Sequence, residues 1–152
     1  MGANSLRVDF DLDDALAGLD SITEAAGECV RPAAQAGASV LYGEVKLRVP
    51  VSEKAHYFYG THQKYIFPAG TLRDSIYQVY SKDNSDEAKA TYHVAWNHAK
   101  APYGFMVEFG TSRAPAHPFL RPAYDAAHDL ALTTAREKFA VLMEQKLPGI
   151  RK

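Results

Sequence analysis

Among the ionisable side chains of this 152-residue chain, Glu108 has the surroundings best suited to chemistry. It lies in the stretch YGFMVEFGTSRAPAHPFLRPA, Tyr103 to Ala123, with Tyr103, Phe105, Met106, Val107 and Phe109 as apolar neighbours. A carboxylate so placed is a candidate general acid. His117 is the nearest partner in sequence, so a hydrolytic site built on Glu108 and His117 is one reading. The competing role is structural. Beside the Gly110-Thr111 turn, and near Arg113 or Arg121, a carboxylate binds backbone N–H groups or a guanidinium and holds the loop. We read Glu108 as structural, and expect no catalytic residues.

The other reactive residue types give no pattern. His56, His62, His93, His98, His117 and His128 form neither HxH nor HExxH, and no Cys/His set has metal-ligand spacing, so no metal or cofactor is expected. The glycines around the aromatic stretches lie singly, which excludes a phosphate-cradling loop, and there is no G-x-S-x-G elbow. Cys29 is the only cysteine, so no disulfide forms within the chain. On an apolar helix stripe it reads as a small packed hydrophobe. Lys54, His56, His62 and Lys64 alternate with tyrosines, a composition that can stack on DNA. A small DNA-binding accessory protein is therefore a further reading, but a net charge of −1 counts against it.

The elements that position these residues follow from spacing. Leu6 to Phe10 alternates like a short strand or arm, and Asp11 or Asp13 then offers a helix N-cap. Leu16, Leu19, Ile22, Ala26, Cys29, Ala33, Ala36, Val40 and Val45 draw one stripe along a helix that ends at Val49-Pro50, with Pro32 expected to kink or break it near Glu28. Residues 52–70 contain Tyr57, Phe58, Tyr59, Tyr65, Ile66 and Phe67, without helical period and broken by Gly60, Pro68 and Gly70. They read as an aromatic insertion loop, mobile until it meets a partner.

Leu72–Ser81 and Ala88–Asn97 alternate as two strands of an antiparallel hairpin across a polar turn at 82–87. For Tyr103–Phe109, period 2 fits a third strand and the Tyr103/Val107 spacing fits a helical turn. Pro122 is suited to the first position of a last helix, whose stripe is Leu120, Tyr124, Ala127, Leu130, Ala131, Ala135, Phe139 and Leu142, stopped by Leu147-Pro148-Gly149. Phe119, between Pro118 and Pro122, is expected in the core. The fold class is α+β, in one domain over 1–152: a long N-terminal helix, a small antiparallel sheet, and a C-terminal helix packed on it.

Two motifs carry a resemblance. Val107-Glu108-Phe109-Gly110-Thr111 followed by Pro118-Phe119-Leu120-Arg121-Pro122-Ala123, with Gly70-Thr71-Leu72-Arg73-Asp74-Ser75-Ile76 upstream, resembles the head-tail joining or tail-completion proteins of long-tailed bacteriophages, also labelled neck or minor tail proteins. The resemblance covers about a third of the chain, and residues 52–70 depart from it as an insertion. It implies a non-enzymatic virion protein at the head-tail junction, present in the host cytoplasm during assembly. Its structural motif residues would be Glu108, Phe109, Gly110, Thr111, Pro118, Phe119, Leu120 and Pro122. Its partners would be copies of itself in a ring, phage connector and tail proteins, and DNA at most passing through.

Candidate partner contacts are Tyr57, Phe58, Tyr59, Tyr65 and Phe67. No run of about 18 apolar residues exists, so no membrane partner is expected. Residues 1–31 hold five more acids than bases, and the remainder four more bases than acids, an asymmetry that reads first as a solvated helix face and, as the alternative, would favour head-to-tail contact between copies.

Overall fold

A computed structural model describes residues 12–59, 62 and 64–147. The expected arm at Leu6–Phe10, the Asp11 cap and the Pro148-Gly149 stop lie outside the described residues. In order come α1 (Leu12–Arg48), β1 (His56–Tyr59), β2 (Lys64–Phe67), α2 (Thr71–Ser75), β3 (Ile76–Ser81), β4 (Thr91–Trp96), α3 (Gly104–Phe109) and α4 (Leu120–Lys146). The α+β class holds, with two small antiparallel sheets in place of one.

Helix α1 runs unbroken through Pro32, so of the kink or break expected there the break does not occur. Proline removes one hydrogen bond of the helix ladder, to the Glu28 carbonyl. The turns around it are held from outside, because Cys29 and Ala33 are buried on the face toward α4. The two helices run antiparallel. Val45 and Val49 share a core cluster with Phe119 and Ala123, Gly37 lies opposite Ala131 and Ala135, and Glu28 pairs with Lys146 near the far end of α4. Small residues set the spacing: a Cβ at Gly37 would stand 2.8 Å from the Ala131 carbonyl oxygen.

On α4 the buried residues are Ala123, Ala127 and Ala131, at i and i+4 spacing, while Tyr124 and Leu130 point to solvent. The sequence stripe placed those two inward. Close helix approach through alanine leaves no room on that face for larger side chains.

The strand expected to begin at Leu72 begins at Ile76. Thr71–Ser75 instead forms one helical turn after Gly70, whose φ of 81° is left-handed. Strand β3 pairs with β4 from Ile76↔Trp96 to Ser81↔Thr91. Ile76 is buried, whereas Val79 is exposed. The expected loop at 52–70 contains an antiparallel hairpin, β1–β2, in register His56↔Phe67 to Tyr59↔Lys64. Period 2 is present in that stretch, but each strand has only four residues, too few to stand out.

The core gathers Val45 and Val49 of α1, Leu72, Ile76, Ala101, Phe119 and Ala123, with Trp96, Tyr103 and Val107 packed around them. Phe119 is fully buried and meets Trp96 edge-on at 6.0 Å between centroids. Cys29 is likewise buried and free.

Candidate functional site

The stretch Tyr103–Ala123 folds as a short helix, a glycine turn, a loop and the start of α4, and Glu108 ties its two ends. Of the strand and helix readings of 103–109, the helix is the observed one. Helix α3 stops at Gly110, whose N–H donates to the Met106 carbonyl at 2.9 Å and whose φ of 76° with ψ of −178° is accessible essentially to glycine alone. Thr111 then stabilises the turn, its Oγ1 accepting from the Arg113 and Ala114 N–H groups at 3.2 and 3.0 Å.

Glu108 is 6% exposed. Its Oε2 accepts the N–H groups of Phe119 (2.7 Å) and Leu120 (3.1 Å), and its Oε1 that of Arg121 (3.2 Å). These are amide donors that a starting helix leaves unpaired, so Glu108 caps α4 from eleven residues upstream, with its charge at the positive end of the helix dipole. Pro122 fits the same plan. It occupies the third helical position, not the first as expected, and having no N–H it adds no further unpaired donor there.

His117 is not brought to Glu108. Its backbone N–H donates to the Val107 carbonyl at 2.7 Å, and it lines a small cleft with His56, Thr71, Leu72 and Tyr103, while Glu108 lines a different cavity. The Glu108/His117 pairing on which the hydrolytic reading depends is thus absent among the described residues, and neither Arg113 nor Arg121 forms an ion pair with Glu108 there.

The cavity that Glu108 borders is a broad apolar groove of about 890 Å³. Its walls are Leu41 and Val45 of α1, Val94 and Trp96 of β4, and Leu120 and Tyr124 of α4, with Pro118 and Phe109 at the loop side. Phe109 is 65% exposed and packs its ring on Phe105, itself exposed, at 4.6 Å. Gly104 makes room for Trp96, because a Cβ there would clash with the indole Nε1 edge. The groove was not foreseen from sequence, since its walls come from three separate segments.

The hairpin is docked by one face and bare on the other. His56 and Phe67 meet the Tyr103 ring at 4.6 and 4.9 Å, and Phe58 is half-buried. Tyr57, Tyr59, Tyr65 and Ile66 are exposed. The Lys64 ammonium stands 3.6 Å from the centre of the Tyr57 ring, which gives the bare side a cationic, aromatic character. Beneath it, the ring nitrogens of His56 and the hydroxyl of Tyr103 are buried with no hydrogen-bond partner of good geometry among the described residues. Burial pushes the Tyr103 hydroxyl above its ordinary 10.0, opposed by the nearby Leu72 backbone. The sequence contacts thus divide: Tyr57 and Tyr59 lie on the bare face, whereas Phe58 and Phe67 lie on the docked face together with Tyr65, which stays exposed at its edge.

Among the described residues no group of three metal-ligating side chains occurs, and no helix is long and apolar enough to cross a membrane. Comparison of the chain with family models, curated proteins and solved structures gives no match.

Proposed function

We propose that this chain is a structural virion protein of a long-tailed phage or prophage, a ring-forming subunit at the head-tail junction that completes or joins the tail. The motif resemblance supplies the class. The observation that carries the reading is the amount of large apolar surface left uncovered, on the hairpin (Tyr57, Tyr59, Tyr65, Ile66), on α3 (Phe105, Phe109) and on α1 (Leu16, Leu19). Large apolar side chains left exposed in number support a contact surface, and tyrosine gives wide contact with a polar tip. The role of Glu108 supports the same reading, because a carboxylate committed to three backbone N–H groups is spent on shape.

The mechanism is geometric. Each copy offers a rigid two-helix body with a projecting hairpin. Repetition around a ring multiplies one modest contact, so the assembled collar holds connector and tail more firmly than any single pair would. Replacing residues 54–67 by a short Gly/Ser linker tests this. The shortened chain should keep its helical circular-dichroism signal, since the hairpin lies outside the α1–α4 core, yet fail to join heads to tails in a complementation assay. Infectious particles at the normal yield would contradict the proposal.

A further inference from the structure

Helix α1 is longer than its support. Helix α4 ends near Glu28, where Lys146 pairs with that carboxylate. The first buried residue of α1 is Ala25, and the described side chains from Leu16 to Glu24 are all exposed. Leu16, Leu19 and Ile22, spaced by three, make an apolar face on this overhang that no described element covers. Asp20 and Glu24 flank it with no ion pair among the described residues, and no Lys or Arg occurs between Leu12 and Val30.

The apolar groove has the complementary character. Its only charged lining residues are Glu108, whose oxygens are occupied by backbone N–H groups, and Arg121, exposed and without an ion pair among the described residues. Arg121 is therefore the charged group of the groove left to meet an acidic partner. At about 890 Å³ it lies within the range of preformed binding cavities. An amphipathic helix presenting anchors at helical spacing is a common occupant of such a groove.

We infer that the N-terminal overhang of α1 in one copy lies in the groove of the next, with Leu16, Leu19 and Ile22 inserted and Glu24 or Asp20 meeting Arg121. One chain cannot satisfy this contact itself. Leu19 and Leu41 are 22 positions apart on the same rigid helix, roughly 33 Å at ~1.5 Å per residue. Pairing of two overhangs with each other would set acids against acids, so the contact joins unlike surfaces, and such head-to-tail contacts build rings when the rotation closes. This interface rests on the ring reading and specifies its polarity.

Sedimentation velocity over a concentration series tests it, on the full-length protein and three variants altered at exposed sites: Leu16→Ser with Leu19→Ser, Arg121→Glu, and Arg121→Glu with Glu24→Arg. The first two should raise the concentration needed for assembly by roughly tenfold or more, and the third should recover most of that loss. If the unaltered protein forms rings and both the serine and the Arg121→Glu variants assemble as it does, this interface is wrong while the ring reading stands. If the unaltered protein stays monomeric at every concentration, both fall.

Discussion

At the scale of single residues, Glu108 is the hinge of the account. A carboxylate accepting three N–H groups at a helix start, 6% exposed, cannot be replaced in kind by an amide, whose single acceptor oxygen carries no charge. Glu108→Gln should cost about 1.5–3 kcal/mol, a fall in melting temperature of roughly 3–12 °C for a chain of this size. An unchanged melting temperature would show that the capping bonds are dispensable.

Tyr103 gives a pH test at the same scale. Its hydroxyl is buried and its pKa raised by desolvation, so above the ordinary value of 10.0 the folded protein retains a proton that the unfolded chain releases. The tyrosine's contribution is therefore whole below about pH 10 and declines as pH rises toward the folded value. Tyr103→Phe keeps the ring against His56 and Phe67. It should leave denaturant stability at neutral pH unchanged or slightly higher, and lessen the alkaline fall relative to the unaltered protein. Equal falls in both would contradict the burial of that hydroxyl.

At the scale of elements, packing decides what propensity leaves open. Gly37 and Gly43 lie on the same helix, but a Cβ at Gly37 meets the Ala131 carbonyl oxygen at 2.8 Å, while one at Gly43 meets nothing within 4 Å. Alanine at Gly43 should stabilise the fold by about 0.5–1 kcal/mol. The same change at Gly37 should destabilise it by about 1–3 kcal/mol, because α4 must shift. Chemical unfolding of the two variants reads both signs; matching signs would mean that α1 and α4 do not approach as described.

The two long helices were legible from the apolar spacing of residues such as Cys29, Ala33 and Val45. Strand β4 was legible from the alternation of Tyr92, Val94 and Trp96, since both patterns persist over several repeats. Other features were hidden for physical reasons. Pro32 carries a strong local preference that the α4 contact overrides. The β1 and β2 strands are four residues each, and their aromatics look alike whether they anchor, as Phe67 does, or face solvent, as Tyr59 does. The role of Glu108 as a remote cap leaves no local mark, because the donors it satisfies begin eleven positions later. The expected partner His117, nine positions on in sequence, lines another cleft beyond the Gly110 turn.

At the scale of the whole molecule, the chain is an elongated pair of helices with a small core at one end and uncovered apolar surface on several sides. Leu16 and Leu19 on the α1 overhang, Phe109 at the groove, and Tyr59 on the hairpin are each more than half exposed. Under the proposed assembly, the acidic overhang of one copy would meet Arg121 in the groove of the next. Closed assembly is the central claim. Native mass spectrometry of the purified protein, with electron microscopy of the same sample, tests it most directly. One dominant oligomer of fixed copy number, seen as a ring with an open centre, is expected. A monomer persisting to the highest soluble concentration, or an open-ended series of masses without a ring, would contradict it.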